Sequence, residues 1–221
     1  MLETYIFDFT RSALSVAEVL ERAAARGVTV RVVVDGVGTG EIPEDWRIRW
    51  AAAGVRWRIF NPARGWRLLL PRGWRRLHRK LCVVDGDVAF CGGINLLDDH
   101  HDPNHGVLAQ PRLDFAVRVR GPLVRDVHDT MTRLWWRLQA ARKVRMVDPE
   151  GALAAVRAAA RAGVEEPTHS RRLPHGARAS LVLRDNLRFR RRIESTYRVA
   201  ISQARREIVI ANAYFVPGVQ L

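Results

Sequence analysis

The apolar positions of this chain switch between strand-like runs and a helical stripe. Leu2–Phe7 is an apolar run and predicts a strand. Across Ala13–Ala25, Leu14, Val16, Val19, Leu20 and Ala23 fall near one stripe of a helix, which Gly27 would close. Val28–Val34 is a β-branched run and predicts a buried parallel strand. Pro43–Ala53 predicts a second helix with proline at its favoured opening position, and Val55–Phe60 a third strand. The order strand, helix, strand, helix, strand predicts an α/β sandwich around a mixed sheet.

The pattern continues in the same manner. Leu81–Val84 and Val88–Phe90 read as two short buried strands around a turn at Asp85-Gly86-Asp87. Leu113–Val119 predicts another strand. Pro122–Ala141 predicts a long helix with Leu123, Val127, Met131, Leu134 and Trp135 along one stripe. Arg142–Arg178 is rich in Ala, Arg, His and Pro and reads as a linker. After it come an expected strand at Ala179–Leu183, a helix at Arg188–Ala204 and a strand at Glu207–Phe215. Met1–Phe7 aligns with Ile210–Val216, each an apolar strand with a polar residue (Glu3, Asn212) two positions before a tyrosine. The expected organisation is a first unit over 1–141, a linker over 142–178 and the opening of a second, similar unit over 179–221. On this reading the chain is an internal fragment.

Charge narrows the class of partner. With 37 basic and 23 acidic residues the net charge is +14, and the pI of about 11.3 implies anionic partners. Nucleic acid and anionic lipid both fit. Cys82 and Cys91 lie inside predicted strands and read as small buried hydrophobes, not as a disulfide framework or zinc site. No apolar run approaches the roughly 18–20 residues of a membrane span. Arg64–Arg79 carries Trp66, Trp74, three consecutive leucines and six arginines. That mixture suits a membrane interface, with tryptophans packed onto the domain as the alternative. Asp98–His105 holds three histidines and three aspartates, but their spacing matches no standard metal site, and a polar loop near the site mouth is expected.

The chemistry concentrates in residues 78–95, which spell H-x-K-x4-D-x6-G-G-x-N through His78, Lys80, Asp85, Gly92, Gly93 and Asn95. On a strand, His78 and Lys80 share one face and can address one anionic group. Asn95 can reach the same group from the loop after the second strand. Gly92 and Gly93 let the backbone approach a bulky ligand. Lys80 and Lys143 are the two lysines in a chain that otherwise uses arginine, so a lysine inside the motif points to a compact ammonium donor. Asp85 is expected to fix the turn rather than to touch the ligand. The chain shows one copy of the pattern.

This pattern resembles the HKD motif of the phospholipase D superfamily. Val33-Val34-Asp35-Gly36, Phe60-Asn61-Pro62, Arg79, Asp114-Phe115-Ala116-Val117-Arg118 and the stretch Ala204–Gly218 resemble bacterial cardiolipin synthases, especially the type B group. The resemblance implies a phosphatidyltransferase that makes cardiolipin from phosphatidylglycerol through a phosphohistidine, without metal or other cofactor. It implies catalytic roles for His78, Lys80, Asn95, Asp85 and Asp114, with Asp114 holding the far nitrogen of His78. It places Gly92, Gly93, Glu3 and Asn212 at the substrate and Trp66 and Trp74 at the membrane interface. It implies peripheral attachment to the cytoplasmic face of the bacterial inner membrane, on an anionic lipid surface, with nucleic acid not expected as partner. Two alternatives stay open: a phospholipase D-like nuclease acting as a homodimer, and a fragment that binds anionic lipid without catalysis.

Overall fold

The computed structural model describes residues 1–62, 75–102, 106–162, 179–183 and 191–210. In chain order the strands are β1 (Leu2–Thr4), β2 (Arg31–Asp35), β3 (Arg56–Phe60), β4 (Lys80–Val84), β5 (Val88–Gly92), β6 (His101–Asp102), β7 (Gly106–Val107) and β8 (Ala116–Arg120). The helices are α1 (Arg11–Ala25), α2 (Glu44–Ala53), α3 (Leu123–Arg145), α4 (Pro149–Arg161) and α5 (Arg192–Gln203). The first of two compact units, 1–166, is built on a six-stranded sheet in the order β3-β2-β1-β4-β5-β8. The pairs among β1, β2 and β3 are parallel, and those from β1 through β4 and β5 to β8 are antiparallel. The predicted mixed sheet flanked by helices is therefore present as an α/β/α sandwich.

Alternation along β2 explains its composition. Val32 and Val34 join an aromatic core with Phe7, Phe9, Trp46 and Trp50, on the side of α1 and α2. Val33 points the other way and packs with Leu77 and Trp135 of α3. A strand covered on both faces needs an apolar residue at every position, which is the run seen in the sequence. Trp50 is 0% exposed, and its indole N–H donates to the Ala17 carbonyl at 3.2 Å. That bond ties α2 to α1 and satisfies the one polar group the ring carries into the core.

The structure departs from the sequence reading at several places. The strand expected at Leu113–Val119 starts at Ala116, leaving Leu113–Phe115 as its lead-in. The stretch read as linker holds the end of α3 and all of α4 within its described part. Its alanines and arginines are good helix formers. Asp148 caps α4 by accepting from the Gly151 N–H at 2.8 Å, Pro149 opens the helix, and Ala152 and Ala155 are buried. Lys143 pairs with Asp148 at 2.7 Å and fixes the turn between the two helices. Ala179 makes an isolated bridge and 180–183 are irregular. Of the strand expected at Glu207–Phe215 only 207–210 are described, and they are irregular; the rest lies outside the described residues. The expected helix at Arg188–Ala204 is present as α5. Asp98–His105 contributes β6, which pairs with β7, and among the described residues no metal-ligand cluster forms. Trp66, Trp74 and Asn212 lie outside the described residues.

Trp50→Ala should lower the unfolding free energy by about 3–5 kcal/mol, the usual cost of emptying a large aromatic site. A urea titration followed by far-UV circular dichroism measures it. Trp50→Phe keeps the ring contacts, loses the bond to Ala17, and should cost much less. An unchanged midpoint in the alanine variant would remove this ring from the core.

Candidate active site

Residues 75–79 enter the sheet without belonging to a strand, and β4 begins at Lys80. What holds this entry is Asp35, at the C-terminal end of β2 and 1% exposed. Its Oδ1 accepts from the N–H groups of Val37 and Gly38 at 2.8 and 3.0 Å. Its Oδ2 accepts from the Leu77 N–H at 2.6 Å. One buried carboxylate thus joins the loop after β2 to the residue before His78.

His78 and Lys80 point the same way, as their spacing predicts. The Lys80 ammonium lies 3.2 Å from His78 Nδ1 and 3.4 Å from Nε2, and it donates to the His78 carbonyl at 3.2 Å. The imidazole sits 4.9 Å from the Tyr5 ring, centroid to centroid, and Lys80 Nζ lies 5.6 Å from the same ring. Burial holds His78 below the ordinary histidine range, the Lys80 cation adds to that, and Asp35 opposes it. Burial also lowers the Lys80 pKa, with Asp114 opposing. At neutral pH the site therefore favours a neutral imidazole beside an ammonium.

Asn95 is oriented from the segment that follows β1. Its Oδ1 accepts from the Ile6 N–H at 3.1 Å, which leaves the side-chain amide hydrogens as the groups available to a ligand. Leu96 bonds Ile6 and Asp8 through the backbone, at 3.0 and 2.7 Å. Thr39 clamps the same segment, donating to the Tyr5 carbonyl at 3.0 Å and accepting from the Phe7 N–H at 2.9 Å. Tyr5 touches His78 while its neighbour Ile6 holds Asn95, so this short segment places both sides of the site.

The remaining expected residues take other positions. Gly92 and Gly93 are close-approach glycines, but the approach seen is by the chain itself. A Cβ on Gly92 would overlap Ala116 and the Phe115 carbonyl, and one on Gly93 would overlap the Asp114 carboxylate. Asp114 thereby faces the Lys80 side of the site. No hydrogen bond joins it to His78, and the carboxylate whose charge reaches His78 is Asp35. Asp85 has φ 52° and Gly86 φ 70°, and the Asp87 N–H donates to the Val84 carbonyl at 3.0 Å. Asp85, Gly86 and Asp87 form a three-residue hairpin turn between the paired Val84 and Val88, at the far end of β4 and roughly 17 Å from Lys80 at the usual rise per strand residue. Glu3 is 0% exposed, and its carboxylate lies 3.0 Å from the Arg79 guanidinium. Burial raises its pKa to about 6, with Arg79 pulling the other way.

Tyr5, Thr39, Asp35 and Arg79 are the participants the motif did not announce. Tyr5 and Asp35 follow or end the parallel strands β1 and β2, where open α/β sheets place their sites, and that rule points to them. Nothing in the spacing pairs Arg79 with Glu3. The chemistry placed here is an imidazole, an ammonium and a side-chain amide.

The family described as "Cardiolipin synthase, PLD-like domain" matches residues 1–112. Cardiolipin synthase B of Escherichia coli (strain K12) is 31% identical over 227 residues, covering 99% of this chain and 48% of that protein. Cardiolipin synthase B of Salmonella typhi is 33% identical over 230 residues, covering 100% and 49%. Cardiolipin synthase C of Escherichia coli (strain K12) is 32% identical over 162 residues, covering 69% and 33%. The chain spans about half the length of the cardiolipin synthase B relatives it matches.

An NMR titration should find His78 protonating below the ordinary value of about 6.5. Lys80→Met should raise the midpoint without restoring it fully, because burial is the larger cause. The unfolded chain binds this proton more tightly than the folded one. His78 therefore contributes to stability loss as pH falls through the ordinary histidine range. A midpoint at or above the ordinary value would contradict the site's electrostatics.

Proposed function

The chain belongs to the family of PLD-like cardiolipin synthase domains, and from that premise we propose that it supplies one half of a phosphatidyltransferase site that makes cardiolipin from phosphatidylglycerol. The observation that carries the reading is the His78 imidazole held 3.2 Å from the Lys80 amino group, where burial and that neighbour both lower its basicity. A free imidazole nitrogen can attack phosphorus. The same ring, once protonated, can hand a proton to a leaving alcohol.

The reaction runs in two displacements. An imidazole nitrogen attacks the phosphorus of one phosphatidylglycerol, the bond to the glycerol oxygen breaks, and that oxygen takes its proton from the opposing histidine. The phosphohistidine then meets the primary hydroxyl of a second phosphatidylglycerol. The opposing histidine takes the hydroxyl proton, the new P–O bond forms, and the P–N bond breaks. Lys80 and the Asn95 amide hold the non-bridging oxygens through both steps, so no metal is required for that charge. The opposing histidine comes from a second H-x-K unit. The match between Met1–Phe7 and Ile210–Val216 supports reading 179–221 as the opening of that unit.

The net charge of +14 supports docking on an anionic lipid surface, proposed here as the cytoplasmic face of a bacterial inner membrane. No helix among the described residues is long and apolar enough to cross a membrane. Binding to anionic vesicles should weaken with added salt, because exposed charges are screened over roughly 8 Å at physiological ionic strength.

The test supplies phosphatidylglycerol vesicles and follows cardiolipin and glycerol by mass spectrometry, with the chain alone and joined to a second H-x-K unit. The joined protein should turn over without added metal and keep its activity in EDTA. The chain alone should fall short by at least the ~10²–10⁴-fold worth of acid–base help. His78→Asn should abolish turnover in the joined protein. Full activity in that variant, or loss of activity in EDTA, would overturn the mechanism. A stable dimer of the chain that cleaves DNA and leaves phosphatidylglycerol untouched would replace the reading with a nuclease.

A further inference from the structure

His78 lies between two residues that are each held by a different buried carboxylate. On one side Leu77 gives its N–H to Asp35 at 2.6 Å. On the other side Arg79 places its guanidinium 3.0 Å from Glu3. Among the described residues no backbone–backbone hydrogen bond holds Leu77, His78 or Arg79. The sheet ladder that fixes β4 starts only at Lys80. The direction in which His78 leaves the chain is therefore set by side-chain anchors and not by strand pairing.

The register shows how the second anchor works. Glu3 lies opposite Leu81 across the β1–β4 pair and opposite Val33 across β1–β2. Directly opposed residues share a face, and residues two apart along a strand do too. Glu3, Val33, Leu81 and Arg79 therefore belong to the face where Val33 and Leu77 pack with Trp135 of α3. Lys80 belongs to the opposite face. Drawing Arg79 toward Glu3 turns its two neighbours, His78 and Lys80, outward together.

We infer that the Glu3–Arg79 ion pair is a positioning device: it pins the lead-in to β4 so that His78 and Lys80 face the ligand. The inference rests on the catalytic reading of His78, and Glu3 acts through Arg79 without touching substrate. Stability alone is a poor explanation for such a pair. Desolvating a carboxylate that is 0% exposed costs much of what the attraction returns, and buried ion pairs can often be replaced by apolar residues without loss. Neither Glu3 oxygen makes a hydrogen bond of good geometry, so the carboxylate does not serve as a polar hub for its own layer. What the pair supplies is a direction. Burial of Glu3 raises its pKa to about 6, so at neutral pH it is largely the charged form that faces Arg79.

The experiment compares Glu3→Gln, Arg79→Lys and the double variant Glu3→Met with Arg79→Met, built in the chain joined to a second H-x-K unit. It reads kcat and KM on phosphatidylglycerol vesicles, the His78 imidazole shifts and titration midpoint by NMR, and the urea midpoint. Glu3→Gln should lower kcat by roughly 10- to 100-fold, the scale of a misplacement of about 1 Å, with little change in KM. The His78 resonances should move as well. Arg79→Lys keeps the charge without the planar fork and should recover part of the loss. The double methionine variant keeps apolar volume and should fold with a near-normal urea midpoint, yet retain the low kcat and the altered His78 resonances. A folded double variant with unchanged kcat and unchanged His78 resonances would show that the pair only stabilises and would overturn the inference. If the unsubstituted protein transfers no phosphatidyl group, the catalytic reading fails. The His78 resonances would still decide whether the pair positions the ring.

Discussion

One buried carboxylate organises the site. Asp35 ends a strand covered on both faces, and three main-chain N–H groups converge on it. Two of them shape the loop after β2, and the third belongs to Leu77, which is more than forty residues further along the chain. A carboxyl group at 1% exposure is tolerable only with such donors, because its desolvation would otherwise dominate. The bond to Leu77 anchors the start of the segment that enters β4. His78 then lies within reach of Tyr5, and Lys80 within reach of His78.

The aromatic core behind the sheet makes that arrangement rigid. Phe7, Phe9, Trp46 and Trp50 fill the layer beneath α1 and α2, with Phe7 and Phe9 stacked at 4.5 Å and Trp50 edge-on to both. Phe7 closes the segment Tyr5–Phe7 that orients Asn95, so packing on the core side is transmitted directly to the polar side. The close approach of β8 to β5 works similarly. Glycines at 92 and 93 admit Phe115, Ala116 and Asp114, and this brings a carboxylate toward Lys80. Asp114 sustains the ammonium charge that burial would otherwise weaken. The ammonium in turn lowers the basicity of His78. Each charge is balanced against a neighbour, and the imidazole is the group left neutral.

The family match covers residues 1–112, which include His78, Lys80, Asn95, Asp35, Glu3 and Arg79 and stop short of Asp114. Within those residues the charged groups are arranged in two layers. His78 and Lys80 face outward, while Asp35, Glu3 and Arg79 hold the backbone that carries them. Such a supporting layer holds the outward-facing side chains in one geometry, which a preorganised site requires.

The sequence by itself determined what depends on local periodicity. The strand and helix alternation through Phe60 was legible, as were the common face of His78 and Lys80, the turn at Asp85-Gly86, and the length of α3 to within a few residues. Each follows from the repeat of a strand, the stripe of a helix or the φ preference of a turn, all set within a few positions. Helix α4 was missed because alanine and arginine read equally as linker until Asp148, Pro149 and packing on α3 choose the helix. The Leu77–Asp35 bond, the Glu3–Arg79 pair, the Ile6–Asn95 bond and the neighbour of Asp114 were decided only by tertiary structure. All four depend on β1 lying between β2 and β4 and on β8 lying beside β5. Strand order is a global outcome of burying both faces of one sheet. Spacing tells a side chain which way to point, and the sheet decides what it meets there.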